Sequence, residues 1–190
     1  MPTIAELKAM TPHVRYEWHQ LCRAAVLLRK HKADYSAGKI SKGIWCCFVE
    51  SFAIHVRNAI EFFYVDDPRP TDIRAEHYVR GGVVWPTMRP RALPGLLGNS
   101  YIRAHKQVAH LTIERATAAP QDFEWPVDEI MSLLNGKLTD FKGAIDAIWT
   151  AEFSRMQPFP LLTLPVPVVV SGVVVPGAAL LKMTAKTTPD

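Results

Sequence analysis

The chain has 190 residues and a formal net charge of +4, with 48% apolar and 21% charged residues. This apolar content excludes a disordered chain, and the length predicts one principal domain. Ten glycines and three cysteines exclude a collagen-like repeat and a disulfide scaffold. The N-terminal residues lack the basic start and apolar run of a signal peptide, so we expect a cytoplasmic protein with free thiols.

The prolines divide the chain into segments that can and cannot be helical. The sequence contains 15 prolines, and none of them falls in residues 13–67, 95–119 or 127–157. Proline breaks helix interiors, because it lacks the backbone N–H and its ring clashes with the preceding turn. The three proline-free windows therefore predict the helices of this protein.

The first window contains two predicted helices. Apolar residues recur every three or four positions from Val14, which predicts a helix with Thr11 as N-cap and Pro12 as its first residue. This helix should end near Lys32. A second helix, apolar around most of its circumference, is predicted from Ile44 to Val65.

The remaining windows complete an all-α fold. An irregular segment from Asp66 to Gly98, with one short helix over Asp72–Val79, precedes a helix predicted from Asn99 to Ala116. The third window predicts one helix from Val127 to Met156. Together these elements indicate an antiparallel four- to five-helix bundle with a long irregular loop.

The C-terminal tail differs in kind from the rest of the chain. Residues 157–181 carry no charge and are rich in valine and proline. Prolines and Gly172 interrupt this apolar run, so we predict an extended or disordered tail without stable membrane insertion. The predicted domain organisation is a helical bundle over residues 1–156 and an apolar tail over 157–190.

The predicted helix after the irregular segment carries the candidate catalytic residues. Arg103 and His110 lie seven residues apart, so they point within about 20° of each other on a helix. A guanidinium stabilises charge on a phosphate, and an imidazole moves the proton of a ribose hydroxyl or a leaving oxygen. This pair predicts RNA cleavage without a metal or cofactor. Asn99, Lys106 and Glu114 are the predicted supporting residues.

The irregular segment adds a basic cluster that could contact RNA. An RNA backbone is attracted by clustered arginines, although an ordinary solvated loop has the same composition. The predicted RNA-contacting residues are Arg69, Arg74, Arg80, Arg89 and Arg91.

A structural interpretation of the same stripe remains open. Arg103 and His110 can instead form salt bridges with Glu50 or Glu61 of the second helix. The protein would then be a non-catalytic helical bundle that mediates protein–protein interaction or dimerisation.

Two segments resemble the HEPN superfamily of small α-helical domains. They are His55-Val-Arg57-Asn58-Ala-Ile-Glu61-Phe-Phe and Lys106-Gln-Val-Ala-His110-Leu-Thr. The family signature is an arginine followed, after four to six residues, by a histidine, and Arg103 and His110 match its loosest form. Ala104 departs from the polar residue that commonly follows the arginine. Arg57-Asn58 has that dipeptide, but no histidine follows it within range.

The resemblance implies a function and partners. Active HEPN domains are metal-independent ribonucleases of toxin–antitoxin and phage-defence systems, and many are dimeric. It therefore implies an endoribonuclease that acts on RNA, forms a homodimer and has a protein partner such as an antitoxin. Many HEPN-like domains are inactive, which leaves the non-catalytic alternative open.

Overall fold

The computed structural model describes residues 1–64, 69–88, 93–106 and 124–161, together with the backbone of 168–170 and 173–175. The chain divides into two compact units, Met1–Phe159 and Pro160–Asp190. The described part of the first unit is helical, which confirms the predicted all-α class. The arrangement as an antiparallel four- to five-helix bundle stays a prediction, because residues 107–123 lie outside the described residues.

Helix α1 spans Ile4–Ser36 and begins earlier than predicted. Thr3 and Glu6 form a capping box, in which the Glu6 amide donates to Thr3 Oγ1 at 3.2 Å and Glu6 Oε2 accepts from the Thr3 amide at 2.7 Å. The prediction of Thr11 as N-cap is therefore wrong, and Pro12 lies inside the helix. Buried Thr11 instead donates its hydroxyl to the Leu7 carbonyl at 2.8 Å.

Helix α2 spans Lys42–Tyr64 and agrees closely with the predicted second helix. A turn at Gly38, whose φ of 69° favours glycine, connects it to α1. The two helices pack against each other. The buried residues of α2 are Val49, Phe52, Ala53, Val56, Ala59, Ile60, Phe63 and Tyr64.

The segment that follows α2 contains short elements before a longer helix. A 3₁₀ helix spans Ala75–Tyr78, helix α3 spans Trp85–Met88 and helix α4 spans Gly95–Ala104. The chain continues from α4 as a wider, π-helical turn through residues 105–106. Helix α4 begins four residues before the predicted Asn99, and the predicted continuation beyond residue 106 lies outside the described residues.

The third predicted helix is interrupted near its end. Helix α5 spans Val127–Ala144, a 3₁₀ helix follows at Ala147–Trp149, and helix α6 spans Thr150–Phe153. The prediction of one helix to Met156 is wrong because residues 144–146 pair with 78–80. The Asp146 amide donates to the Tyr78 carbonyl at 2.9 Å, and the Arg80 amide donates to the Ala144 carbonyl at 3.1 Å.

The core of the helical unit is built around packed aromatic rings. Phe141 makes edge-to-face contacts with several of them, at ring-centroid distances of 5.0 Å to Phe153 and 5.9 Å to Trp85. The Trp85 indole N–H donates to the Phe63 carbonyl at 3.0 Å, which fixes the irregular segment to α2. Phe159 is also buried, so the core extends three residues past the predicted boundary at 156.

The second unit contains a short antiparallel hairpin. Strands β1, Val168–Val170, and β2, Val173–Val175, pair so that Val168 faces Val175. The extended or disordered tail over residues 157–190 stays a prediction. In the ranges that the structure describes, no helix combines the length and apolar character needed to cross a membrane.

Candidate functional site

A groove that several charged side chains line opens on one side of the helical unit, with a volume of about 590 Å³. Its walls come from α1, α2 and α4 and from the segment that precedes the first 3₁₀ helix. The groove side chains that matter most for its chemistry are Glu17, Arg57, Glu61, Arg74, Tyr101 and His105.

The Glu61 carboxylate connects α2 to α4 within this groove. Its Oε1 accepts hydrogen bonds from Arg57 Nε at 2.9 Å and from the Tyr101 hydroxyl at 3.1 Å. His105 Nε2 lies 3.7 Å from the same oxygen. The His105 ring packs edge-on against Tyr101, with centroids 4.6 Å apart. One carboxylate oxygen therefore binds an arginine and a phenol by hydrogen bonds and lies near an imidazole.

A second carboxylate, Glu17, connects α1 to α2. Its Oε2 accepts a hydrogen bond from Asn58 Nδ2 at 2.7 Å and lies 2.7 Å from His55 Nδ1. The Tyr16 ring meets the His55 ring edge-on, with centroids 6.4 Å apart. Since Asn58 follows Arg57 in the sequence, the Glu17 and Glu61 contacts hold successive residues of α2.

Arginines supply most of the positive charge in the groove. Arg57 uses its Nε for Glu61, and among the described residues no hydrogen bond engages its two Nη atoms. Arg69 is exposed, and its amide donates to Asp72 Oδ2 at 2.8 Å. Arg74 forms an ion pair with Glu76. The three carboxylates of the lining, Glu17, Glu61 and Asp72, balance these three arginines in formal charge.

Burial shifts the pKa of two groups in or beside the groove. The pKa of Tyr101 is raised by burial and, to a smaller extent, by the charge of Glu61, so its hydroxyl stays protonated and donates to that carboxylate. Burial, with a contribution from the charge of Arg74, lowers the pKa of His77. Neutral His77 accepts a hydrogen bond at Nδ1 from the Arg74 amide at 3.1 Å.

The structure places Arg103 outside the groove lining. Its Nη1 donates to the Glu124 carbonyl at 2.7 Å, and its guanidinium carbon lies 4.5 Å from the centroid of the Trp125 ring. This geometry is a cation–π contact. Arg103 therefore joins the end of α4 to the chain that enters α5.

The other predicted site residues fall into three groups. Arg69 and Arg74 line the groove, and their contact with RNA stays a prediction. Asn99, Lys106 and Arg80 are exposed and are not part of the groove lining. His110, Glu114, Arg89 and Arg91 lie outside the described residues, so their roles stay predictions.

Two residues of the groove, His105 and Arg57, were not among the predicted catalytic residues. No histidine follows Arg57-Asn58 within the range of the family signature, but the end of α4 brings His105 close to Glu61, one turn after Arg57. The available signals were two pairs with helical i, i+4 spacing, Arg57 with Glu61 and Tyr101 with His105. Each pair indicates side chains on one helix face, but neither shows that the two faces meet.

No protein-family model matches the sequence, and neither the curated proteins nor the solved structures contain a significant match. The resemblance to the HEPN superfamily therefore stays a prediction. Over the ranges described, no three His, Cys, Asp or Glu side chains are grouped in a way that would hold a metal ion.

Proposed function

We propose that this protein is a metal-independent endoribonuclease that binds the scissile phosphate of RNA in the groove between α1, α2 and α4. The observation that carries the proposal is the contact of Arg57 and His105 with the same oxygen of Glu61. A cation for the phosphate and an imidazole for the proton are thereby held beside each other. The predicted RNA-contacting residues Arg69 and Arg74 line the same groove.

Arg57 is assigned the role of stabilising phosphate charge. Its Nε donates to Glu61, and among the described residues no hydrogen bond engages its two Nη atoms. A guanidinium in this state presents two parallel donors to phosphate oxygens. Donors fixed in advance are the most effective stabilisers of charge that develops in a transition state.

His105 is assigned the role of moving a proton. The ribose 2′-oxygen bonds to phosphorus, the bond to the 5′-oxygen breaks, a base accepts the 2′-hydroxyl proton and an acid protonates the leaving oxygen. Imidazoles perform both proton transfers near neutral pH. Glu61 Oε1 lies 3.7 Å from His105 Nε2, and His13 supplies a second imidazole in the groove lining. His105 also lies in a π-helical turn, a distortion that is frequent at functional sites.

The Arg103–His110 pair remains the second candidate for the same chemistry. The packing of Arg103 on Trp125 favours a structural role for this arginine. A variant of each histidine therefore separates the two assignments.

The test is cleavage of a labelled single-stranded RNA by the full chain in the presence of EDTA. We expect His105→Ala to lower the rate by about 10²–10⁴-fold, which is the usual contribution of a general acid or base. His19→Ala is the matched control, because His19 is an exposed histidine on α1 that does not line the groove. A substrate with 2′-deoxyribose at the cleavage site should resist cleavage, since it lacks the attacking hydroxyl.

Two outcomes would contradict the assignment. Loss of activity in His110→Ala with full activity in His105→Ala would transfer the chemistry to the Arg103–His110 stripe. Absence of cleavage in the wild-type chain under all conditions would favour the non-catalytic helical module that mediates protein interaction or dimerisation.

The proposal includes a cytoplasmic location, a homodimer and a protein partner such as an antitoxin. Exposed apolar side chains on adjacent helices support a protein interface: 55% of the Tyr16 side-chain surface and 46% of that of Ile54 are accessible. Sedimentation equilibrium of the purified chain measures the oligomeric state directly.

A further inference from the structure

The connection between α1 and α2 concentrates the positive charge of the chain. Residues 30–42, here called the lysine tip, contain four lysines and one aspartate. They therefore carry +3 of the formal net charge of +4, although they are a small part of the 190 residues. The lysines are Lys30, Lys32, Lys39 and Lys42.

The lysines of the tip are accessible to a ligand. All four are exposed, and 71% of the Lys39 side-chain surface is accessible. Lys39 lies 3.7 Å from Asp34, and Lys32 lies 3.7 Å from Glu124. Within the described ranges, Lys30 and Lys42 form no ion pair. Exposed pairs at such distances are weak and exchange readily with a charged ligand.

An aromatic pair lies at the same end of the helical hairpin. The rings of Tyr35 and Trp45 are parallel within 3°, with centroids 4.8 Å apart. Both residues are partly exposed, and the Trp45 amide donates to the Ser41 carbonyl at 3.1 Å, which anchors the stack to the turn. An aromatic stack within a lysine-rich segment is a combination that single-stranded nucleic acids bind, because bases stack while phosphates meet cations.

We propose that the lysine tip and the Tyr35–Trp45 stack form a binding site for single-stranded RNA, remote from the groove. This inference rests on the proposed function, because it assigns the site to the same RNA substrate. Fifteen residues of α2 separate Lys42 from Arg57, or about 22 Å of helix. At about 3.4 Å per phosphate of one strand, six or seven nucleotides connect the two sites.

An anionic membrane is the competing ligand for a basic surface with aromatic residues. Membrane-binding segments insert exposed tryptophan side chains among the lipid headgroups. Trp45 instead lies flat against Tyr35, and both are partly buried. Because the stack holds the indole in place against a neighbouring ring, the arrangement favours base stacking over insertion among lipids, and RNA is the ligand that we infer.

Binding is measured by fluorescence anisotropy with a labelled 2′-O-methyl RNA dodecamer, which binds without being cleaved. We expect Lys39→Gln/Lys42→Gln to weaken binding about tenfold at low salt and to reduce the slope of log affinity against log salt by about 1.4. Lys8→Gln/Arg155→Gln is the matched control: it removes the same charge at exposed positions outside the tip.

A second variant tests the aromatic contact separately from charge. Trp45→Leu should weaken binding at least fivefold without changing the salt slope, since base stacking involves no ion release. An equal loss of RNA affinity in the control and tip variants overturns the inference, and so does the absence of RNA binding by the wild-type chain. Binding of the tip to anionic phosphatidylglycerol vesicles but not to RNA also overturns it. If the wild-type chain binds RNA through the tip but never cleaves it, only the proposed catalytic function fails.

Discussion

Arg57 and Arg103 are chemically identical and lie in contrasting environments. Arg57 borders an open groove, and its guanidinium is held by one hydrogen bond to a carboxylate. Arg103 is packed over an indole ring and bonded to a backbone carbonyl. The first arrangement leaves donors for a ligand, whereas the second uses the guanidinium to join two segments of the chain. Residue type alone therefore does not distinguish a ligand-binding arginine from a packing one.

The position of His105 relative to Arg103 extends the contrast. His105 comes two residues after Arg103, which is about 200° around a helix, so the two side chains leave α4 on different sides. The side of α4 that carries His105 faces the groove, and the side that carries Arg103 faces Trp125. A single helix can thus contribute to a polar site and to packing at neighbouring positions.

The largest effect in this comparison is expected on the rate of RNA cleavage when the groove arginine, Arg57, is removed. Arg57→Ala should lower the cleavage rate by about 10²–10³-fold, the usual loss when a donor to developing charge is removed. Stability should change little, because a partly exposed i, i+4 pair with Glu61 contributes only about 0.3–0.5 kcal/mol. Initial cleavage rates and a urea unfolding curve measure the two quantities. Arg103→Ala is the comparison, and a greater loss of activity in that variant would reverse the contrast.

The next effect concerns the stability contributed by Arg103. Arg103→Ala should lower the free energy of unfolding by about 1–2 kcal/mol, through loss of the cation–π contact and the hydrogen bond to the Glu124 carbonyl. Arg103→Lys keeps the charge but not the planar group, so it should retain only part of this stability. Urea unfolding followed by tryptophan fluorescence tests the prediction. An unchanged midpoint in Arg103→Ala would show that the packed arrangement is not stabilising.

A smaller effect on stability is expected at alkaline pH, through the partly buried thiol of Cys22. Burial raises the pKa of Cys22 from its ordinary value of 9.0 to about 11. The unfolded thiol loses its proton first, so the stability of the folded chain should fall as the pH rises from about 9 to 11. Cys22→Ala should reduce this dependence, which urea midpoints at pH 8 and pH 10 would detect. Cys47→Ala, at an exposed cysteine, should leave the dependence unchanged.

The smallest effect on stability is expected at acidic pH, through the imidazole of His77 beside the groove. The pKa of His77 is lowered by burial, so the unfolded state binds a proton first when the pH falls below about 6.5. Protonation also removes the acceptor for the Arg74 amide. Stability should therefore decrease from pH 7.5 to pH 5.5, as measured by urea midpoints. His77→Asn keeps an acceptor that does not titrate, and an equal acid dependence in this variant would contradict the assignment to His77.

The sequence predicted the long helices well, and the errors have identifiable causes. Helix α2 is found within two residues of its predicted start, because an uninterrupted apolar pattern without proline leaves no other regular structure. Proline at position 12 wrongly indicated a helix start, since the capping box of Thr3 and Glu6 already satisfies the first amides of a longer helix. The end of α5 at Ala144 is not evident from the sequence, because the next residue, Ile145, pairs with Val79, which is distant in the sequence.

The candidate site was predictable only in part. Arg69 and Arg74 were identified as a basic cluster from composition, and both line the groove. His105 was assigned no catalytic role, since its connection to Arg57 passes through Glu61 and exists only where α2 and α4 meet. Periodicity reports which residues share a face of one helix, but not which faces of two helices come into contact.

The sequence by itself determined the all-α class, the main helical windows and the lack of charge in residues 157–181. Each of these follows from local patterns of apolar residues, prolines and charge. The tertiary structure decided which polar side chains converge, placing Arg57 with His105 and Arg103 with Trp125. The physical reason is that hydrophobic burial fixes the packing of the helices, and that packing then selects the partners of the polar groups at their edges.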